Sequence, residues 1–97
     1  LLGVTAVGAD FSDTGLLESR LSFSNFTKAN FSRSDLRRSD LSDAIFVSSN
    51  FSEANMARVD LRHSEISGAE FKGANMYGSK LPDNSSSSSA DNDEIDY

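Results

Sequence analysis

Residues 29–48 read Ala29-Asn30-Phe31-Ser32-Arg33, Ser34-Asp35-Leu36-Arg37-Arg38, Ser39-Asp40-Leu41-Ser42-Asp43, Ala44-Ile45-Phe46-Val47-Ser48. Each group of five puts a small residue first and a large apolar residue third. The pattern runs outward in both directions. From residue 11 every fifth position is large and apolar: Phe11, Leu16, Leu21, Phe26, Phe31, Leu36, Leu41, Phe46, Phe51, Met56, Leu61, Ile66, Phe71, Met76 and Leu81. Two residues before each of these centres stands Ala, Ser, Thr or Val, and the residue directly before is often Asp or Asn.

The spacing selects a backbone. An α-helix advances 100° per residue, so a period of five smears around its cylinder. An extended strand alternates faces every two residues, so a period of five flips sides at each repeat. A coil that turns one corner per five residues keeps every centre inside. The small residue lies two before the centre and points the same way, into the narrow space near the corner. Centres twenty apart then stack in columns: Phe11, Phe31, Phe51, Phe71; Leu16, Leu36, Met56, Met76; Leu21, Leu41, Leu61, Leu81; and Phe26, Phe46, Ile66. Four sides per circuit make a square coil of nearly four turns. At a spacing of roughly 4.8 Å per turn the prism is about 20 Å tall.

The outward positions fall into rows of their own. Asp13, Arg33 and Glu53 alternate in sign up one corner, and Arg20, Asp40, Asp60 and Lys80 form another column. Such cross-strand charge pairs contribute about 0.2–1 kcal/mol each. Gly68, Gly73 and Gly78 occupy three successive corners near the upper end, and Pro82 stops the pairing there.

The units Ala9-Asp10-Phe11-Ser12-Asp13, Ala29-Asn30-Phe31-Ser32-Arg33 and Ala54-Asn55-Met56-Ala57-Arg58 resemble those of the pentapeptide repeat proteins. The resemblance spans residues 9–83. It implies an all-β fold, a right-handed quadrilateral parallel β-helix; the apolar residues 1–8 are expected to form an N-terminal cap segment and residues 84–97 a Ser-rich acidic tail. It also implies a non-enzymatic protein without cofactors. Some members imitate DNA and bind type II topoisomerases; others, abundant in cyanobacteria and plastids, include thylakoid-lumen proteins. The topoisomerase-binding type has a strongly acidic, elongated body, and the plastid type often has cysteine-containing caps. This chain departs from both.

Composition sets further bounds. The chain has 97 residues and a formal charge of −6, the size of one domain. The charge is uneven: residues 1–82 carry ten acids and nine bases, and residues 83–97 carry five acids and no base. Nucleic-acid binding calls for a basic surplus, which neither part has. No apolar run approaches the eighteen or so residues of a membrane helix. Cysteine is absent, which excludes disulfides and thiolate chemistry, and the lone histidine, His63, argues against a histidine metal cluster or catalytic dyad. No phosphate loop or catalytic triad is apparent, so the expectation is no catalytic and no metal-binding residues. The first residue is Leu1 rather than Met, as expected of a processed chain or a fragment.

Three sets of residues are candidates for contacts. Phe23, Ile45 and Val47 break the polar rule of the outer face and are expected to form one exposed apolar patch. Leu1 and Leu2 are apolar enough to cap the lower end or pack on a partner. Arg33, Arg37, Arg38 and Arg58 are expected to come together as a contact for an acidic partner or for the acidic tail. Leu17 and Tyr77 share a column but lie three coils apart, too far to cluster. The sequons Asn25-Phe26-Thr27, Asn30-Phe31-Ser32 and Asn50-Phe51-Ser52 follow from the repeat itself and read as structural; a fourth is Asn84-Ser85-Ser86. The function expected is a scaffold module that binds other proteins, an accessory or assembly subunit of a larger photosynthetic membrane complex in the plastid or thylakoid lumen. The alternatives are a DNA-mimic topoisomerase inhibitor and, for location, the cytoplasm.

Overall fold

The structure is a computed structural model that describes residues 3–82. Its unit is best seen by following every backbone N–H of one repeat. Asn30 donates to the carbonyl of Ala9 in the coil below (2.9 Å), and Phe31 to that of Asn50 in the coil above (2.6 Å). Ser32 donates to the side-chain Oδ1 of Asn30 (2.9 Å). Arg33 donates to Ser52 above (2.9 Å), and Ser34 closes the corner on the carbonyl of Phe31 (3.1 Å). All five donors are satisfied, as a compact backbone requires.

This accounting explains the frequent Asp or Asn before each centre. Its Oδ1 accepts the N–H two residues on, which would otherwise face outward unpaired: Ser42 on Asp40 at 3.0 Å, Ser52 on Asn50 at 2.9 Å, Arg62 on Asp60 at 3.0 Å. A Ser or Thr at that following position also donates its hydroxyl to the same oxygen, as Ser12 to Asp10, Thr27 to Asn25 and Ser52 to Asn50. These are Asx turns built into the repeat. They engage the asparagines of all three sequons inside the described residues, and the middle residues Phe26, Phe31 and Phe51 are fully buried. Asn84 lies outside the described residues.

Each corner has its second central residue at positive φ, the mark of a type II turn. Glycine fills that place at 3, 8, 68, 73 and 78 with φ between 71° and 75°. At eleven corners, from Asp13 to His63, a residue with a side chain holds φ between 56° and 64°. At Gly73 a Cβ would come within 3.2 Å of the Glu53 Cγ, so a side chain there would have to displace Glu53 slightly.

Successive circuits pair in parallel at a register of twenty: Thr5 with Asn25, Asn25 with Ile45 and Ile45 with Glu65, and likewise Asp10, Asn30, Asn50 and Glu70. Among the described residues these are isolated bridges rather than longer strands. Two of every five residues are spent in the turn, which leaves sides too short for a ladder of several consecutive pairs. Residues 3–8, expected to form a cap segment, contain the same elements. Gly3 has a φ of 71°, Thr5 bridges to Asn25, and Val4 and Ala6 pack on the core.

The interior is filled by the expected columns. Phe26, Phe31, Leu36, Leu41, Phe46, Phe51, Met56 and Leu61 have no exposed surface. Phe11, Phe31, Phe51 and Phe71 stack with ring centroids 5.0–5.1 Å apart. Phe26 and Phe46 stack beside them at 5.3 Å, and rings of the two columns meet edge to face. The small inward row satisfies its own polar atoms. Ser49 Oγ donates to the Phe26 carbonyl (2.7 Å), and Ser39 Oγ donates to Leu16 O (2.8 Å) while accepting from Ser19 N–H (3.0 Å).

Candidate functional site

With the interior filled, any binding chemistry lies on the outward rows. The arginines do not all meet. Arg33 sits one corner away from Arg38 and makes a two-pronged ion pair with Asp13 in the coil below: Nε to Oδ1 and Nη2 to Oδ2, both 2.9 Å. Arg37 pairs within its own side with Asp35, at 2.8 and 2.7 Å. Arg62 pairs in the same way with Asp60, at 3.0 and 2.9 Å. The guanidinium bonds hold the carboxyl groups of Asp13, Asp35 and Asp60 below their ordinary range, and the Ser12 hydroxyl and N–H do the same for Asp10.

Arg37, Arg38 and Arg58 do come together, in a surface depression of about 390 Å³. Leu17, Glu18, Ala57 and Tyr77 complete its walls. Leu17 and Tyr77, which sequence spacing placed too far apart to cluster, thus border one groove. The cause is Ala57: in the row Leu17, Arg37, Ala57, Tyr77 its short side chain leaves a gap between two long ones. The Arg58 guanidinium lies over the Tyr77 ring, 5.9 Å from the centroid, within cation–π range. Arg37, Arg38 and Arg58 were expected at a contact and Leu17 and Tyr77 in one column; Ala57, whose small side chain joins them into one groove, carries no signal within its own repeat.

The apolar patch is smaller than expected. Phe23 is 67% exposed, but Ile45 and Val47 are half-buried. Ile45 is flanked by the bridged residues Asn25 and Glu65 of the coils below and above, which leaves little of its side chain open. Among the described residues the large exposed apolar side chains are Val7, Leu17, Phe23 and Tyr77. Leu1 and Leu2 lie outside the described residues. Among the described residues no group of three or more His, Asp or Glu side chains is arranged to hold a metal ion, and no helix is long and apolar enough to cross a membrane.

The profile of the pentapeptide repeats family (8 copies) matches residues 7–43 and 44–81. The chain belongs to the pentapeptide repeat family. Its fold is therefore the right-handed β-helix of these proteins, a family generally structural rather than catalytic and often used for protein interaction. A crystal structure of a pentapeptide repeat protein from the thylakoid lumen of Arabidopsis thaliana is similar, with a TM-score of 0.81 and 25% identity over 82% of this chain and 55% of that one. Two cyanobacterial pentapeptide repeat proteins also match. One is from Cyanothece, at 20% identity and a TM-score of 0.46 over 82% of this chain and 58% of that one. The other, HetL from Nostoc, involved in heterocyst differentiation regulation, matches at 22% and 0.34 over 84% and 48%. The chain spans about half the length of these structures. No curated protein sequence matches it significantly.

Proposed function

We propose that this pentapeptide repeat protein is a rigid, non-catalytic scaffold, a quadrilateral rod whose sides hold other proteins as an accessory or assembly subunit of a larger complex. The observation that carries this reading is the solid interior. Eight consecutive centres, from Phe26 to Leu61, have no exposed surface, so ligands meet only the outward rows. Those rows are held at fixed spacing by backbone bonds in every repeat, which gives a partner a preorganised surface. The similarity to the Arabidopsis thylakoid-lumen protein supports placing the complex at a photosynthetic membrane, in the plastid or its lumen.

Crosslinking the folded protein in native lumen extract tests this. The expected result is a defined set of crosslinked partners attached along one face. Phe23→Asp should abolish them without changing the unfolding midpoint. A protein that stays monomeric and uncrosslinked in that extract contradicts the scaffold reading. Inhibition of DNA supercoiling at low protein concentration would instead favour the DNA-mimic class.

A further inference from the structure

We propose that the depression between Leu17 and Tyr77 is a docking groove for an extended acidic segment, and that its occupant is this chain's own Asp91-Asn92-Asp93-Glu94-Ile95-Asp96-Tyr97. The proposal is independent of the scaffold reading, since a rod can hold partners on other faces whether or not this groove is covered.

Arg33, Arg37 and Arg62 are each locked to an aspartate. Arg38 and Arg58, stacked one coil apart on a single corner row, have no ion-pair partner among the described residues. Their spacing is about 4.8 Å, the distance between adjacent coils. Glu18, one coil below Arg38, is the acid on this row, so the row keeps a net positive charge. The Arg58 guanidinium, held over the Tyr77 ring at 5.9 Å, is a charged fork of the kind that binds carboxylates.

The groove also has an apolar rim. Leu17 and Tyr77 are 53% and 69% exposed at the two ends of the groove, so the site offers cations in the middle and apolar contacts outside. Residues 91–97 carry the complementary chemistry: four acids, no base, and the two large apolar side chains Ile95 and Tyr97.

From Tyr77 and Gly78 at the top of the groove the chain runs along one side, Ser79-Lys80-Leu81, to Pro82. The segment therefore departs one side away from its proposed site. The nine residues 83–91 can span about 30 Å when extended, and the longest dimension of the molecule is 30 Å.

The absence of cysteine allows a clean test in the full chain. A nitroxide on Asn92→Cys should broaden the amide signals of Leu17, Ala57 and Tyr77 selectively, sparing Lys28 and Ser48 on the opposite corner. The selectivity should vanish in Arg38→Glu/Arg58→Glu and in about 1 M salt, where screening acts within about 3 Å. Equal broadening on both corners, or selective broadening that survives both treatments, overturns the proposal. So does broadening in an equimolar mixture of spin-labelled and isotope-labelled chains, because the occupant would then be a second copy. A groove that stays unbroadened at low salt also overturns it and leaves an acidic partner protein as the occupant to pursue.

Discussion

Two sets of corners do the same geometric work with different residues. From Asp13 to His63 the positive-φ place holds a residue with a side chain, and at Gly3, Gly8, Gly68, Gly73 and Gly78 it holds glycine. A side chain there costs about 1–2 kcal/mol. Along the lower corners that side chain is in use: Arg33 grips Asp13, and Arg38 and Arg58 wall the groove. Gly68, Gly73 and Gly78 lie directly above Ser48, Glu53 and Arg58, whose side chains come within 3.2–3.3 Å of where a Cβ would stand, whereas Gly3 and Gly8 have open space there. Corner propensity therefore does not dictate the winding. The stacked core and the Asx-held backbone impose the same turn on corner residues with and without side chains.

If the core imposes the winding, an inner substitution should cost more than any corner substitution. Phe31→Ala removes a fully buried ring from the middle of its stack and should lower stability by about 3–5 kcal/mol in urea unfolding. Gly73→Val comes next. It combines a disfavoured φ with contact against Glu53 and should cost about 1–3 kcal/mol. Adding Glu53→Ala should recover only the steric share; complete recovery would show that φ is not restrictive at this corner. Phe23→Gly should act in the opposite direction. It relieves positive φ at an exposed residue and should stabilise by roughly 0.5–1 kcal/mol. A loss of stability would mean that Phe23 packs on the rod.

The smallest effect is electrostatic. Asp10, Asp13, Asp35 and Asp60 all have carboxyl groups held below the ordinary value of 3.8. Their ionised forms are favoured in the folded state, so their contribution is fully present above that value and is lost as pH falls through the lower folded-state values. Unfolding midpoints should be flat near neutrality and fall below about pH 4. Arg33→Ala should remove Asp13's share of that fall and leave the shares of Asp35 and Asp60.

The columns, the buried centres and the position of the corners were legible because burial repeats strictly every five residues. The φ of the corners was not: nothing in Arg33, Phe23 or Glu18 marks a positive dihedral, since the demand comes from closing the circuit rather than from the local sequence. The role of Asn30 and Asp40 became clear only once each backbone N–H had been followed to its acceptor. The groove was not legible because a short residue between long ones, Ala57 between Arg37 and Tyr77, makes a depression that no single repeat reveals. Ile45 and Val47 carried the correct outward phase, but phase says nothing of how far neighbouring coils cover a side chain.

The central claim is the parallel register of twenty, and proton–proton cross-peaks in the isotope-labelled protein measure it directly. Cross-peaks should connect Asp10 with Asn30, Asn30 with Asn50 and Asn50 with Glu70, and the amides of Asn30 and Phe31 should exchange slowly. Helical contacts three and four residues apart, a register other than twenty, or rapid exchange at Phe31 would contradict the account.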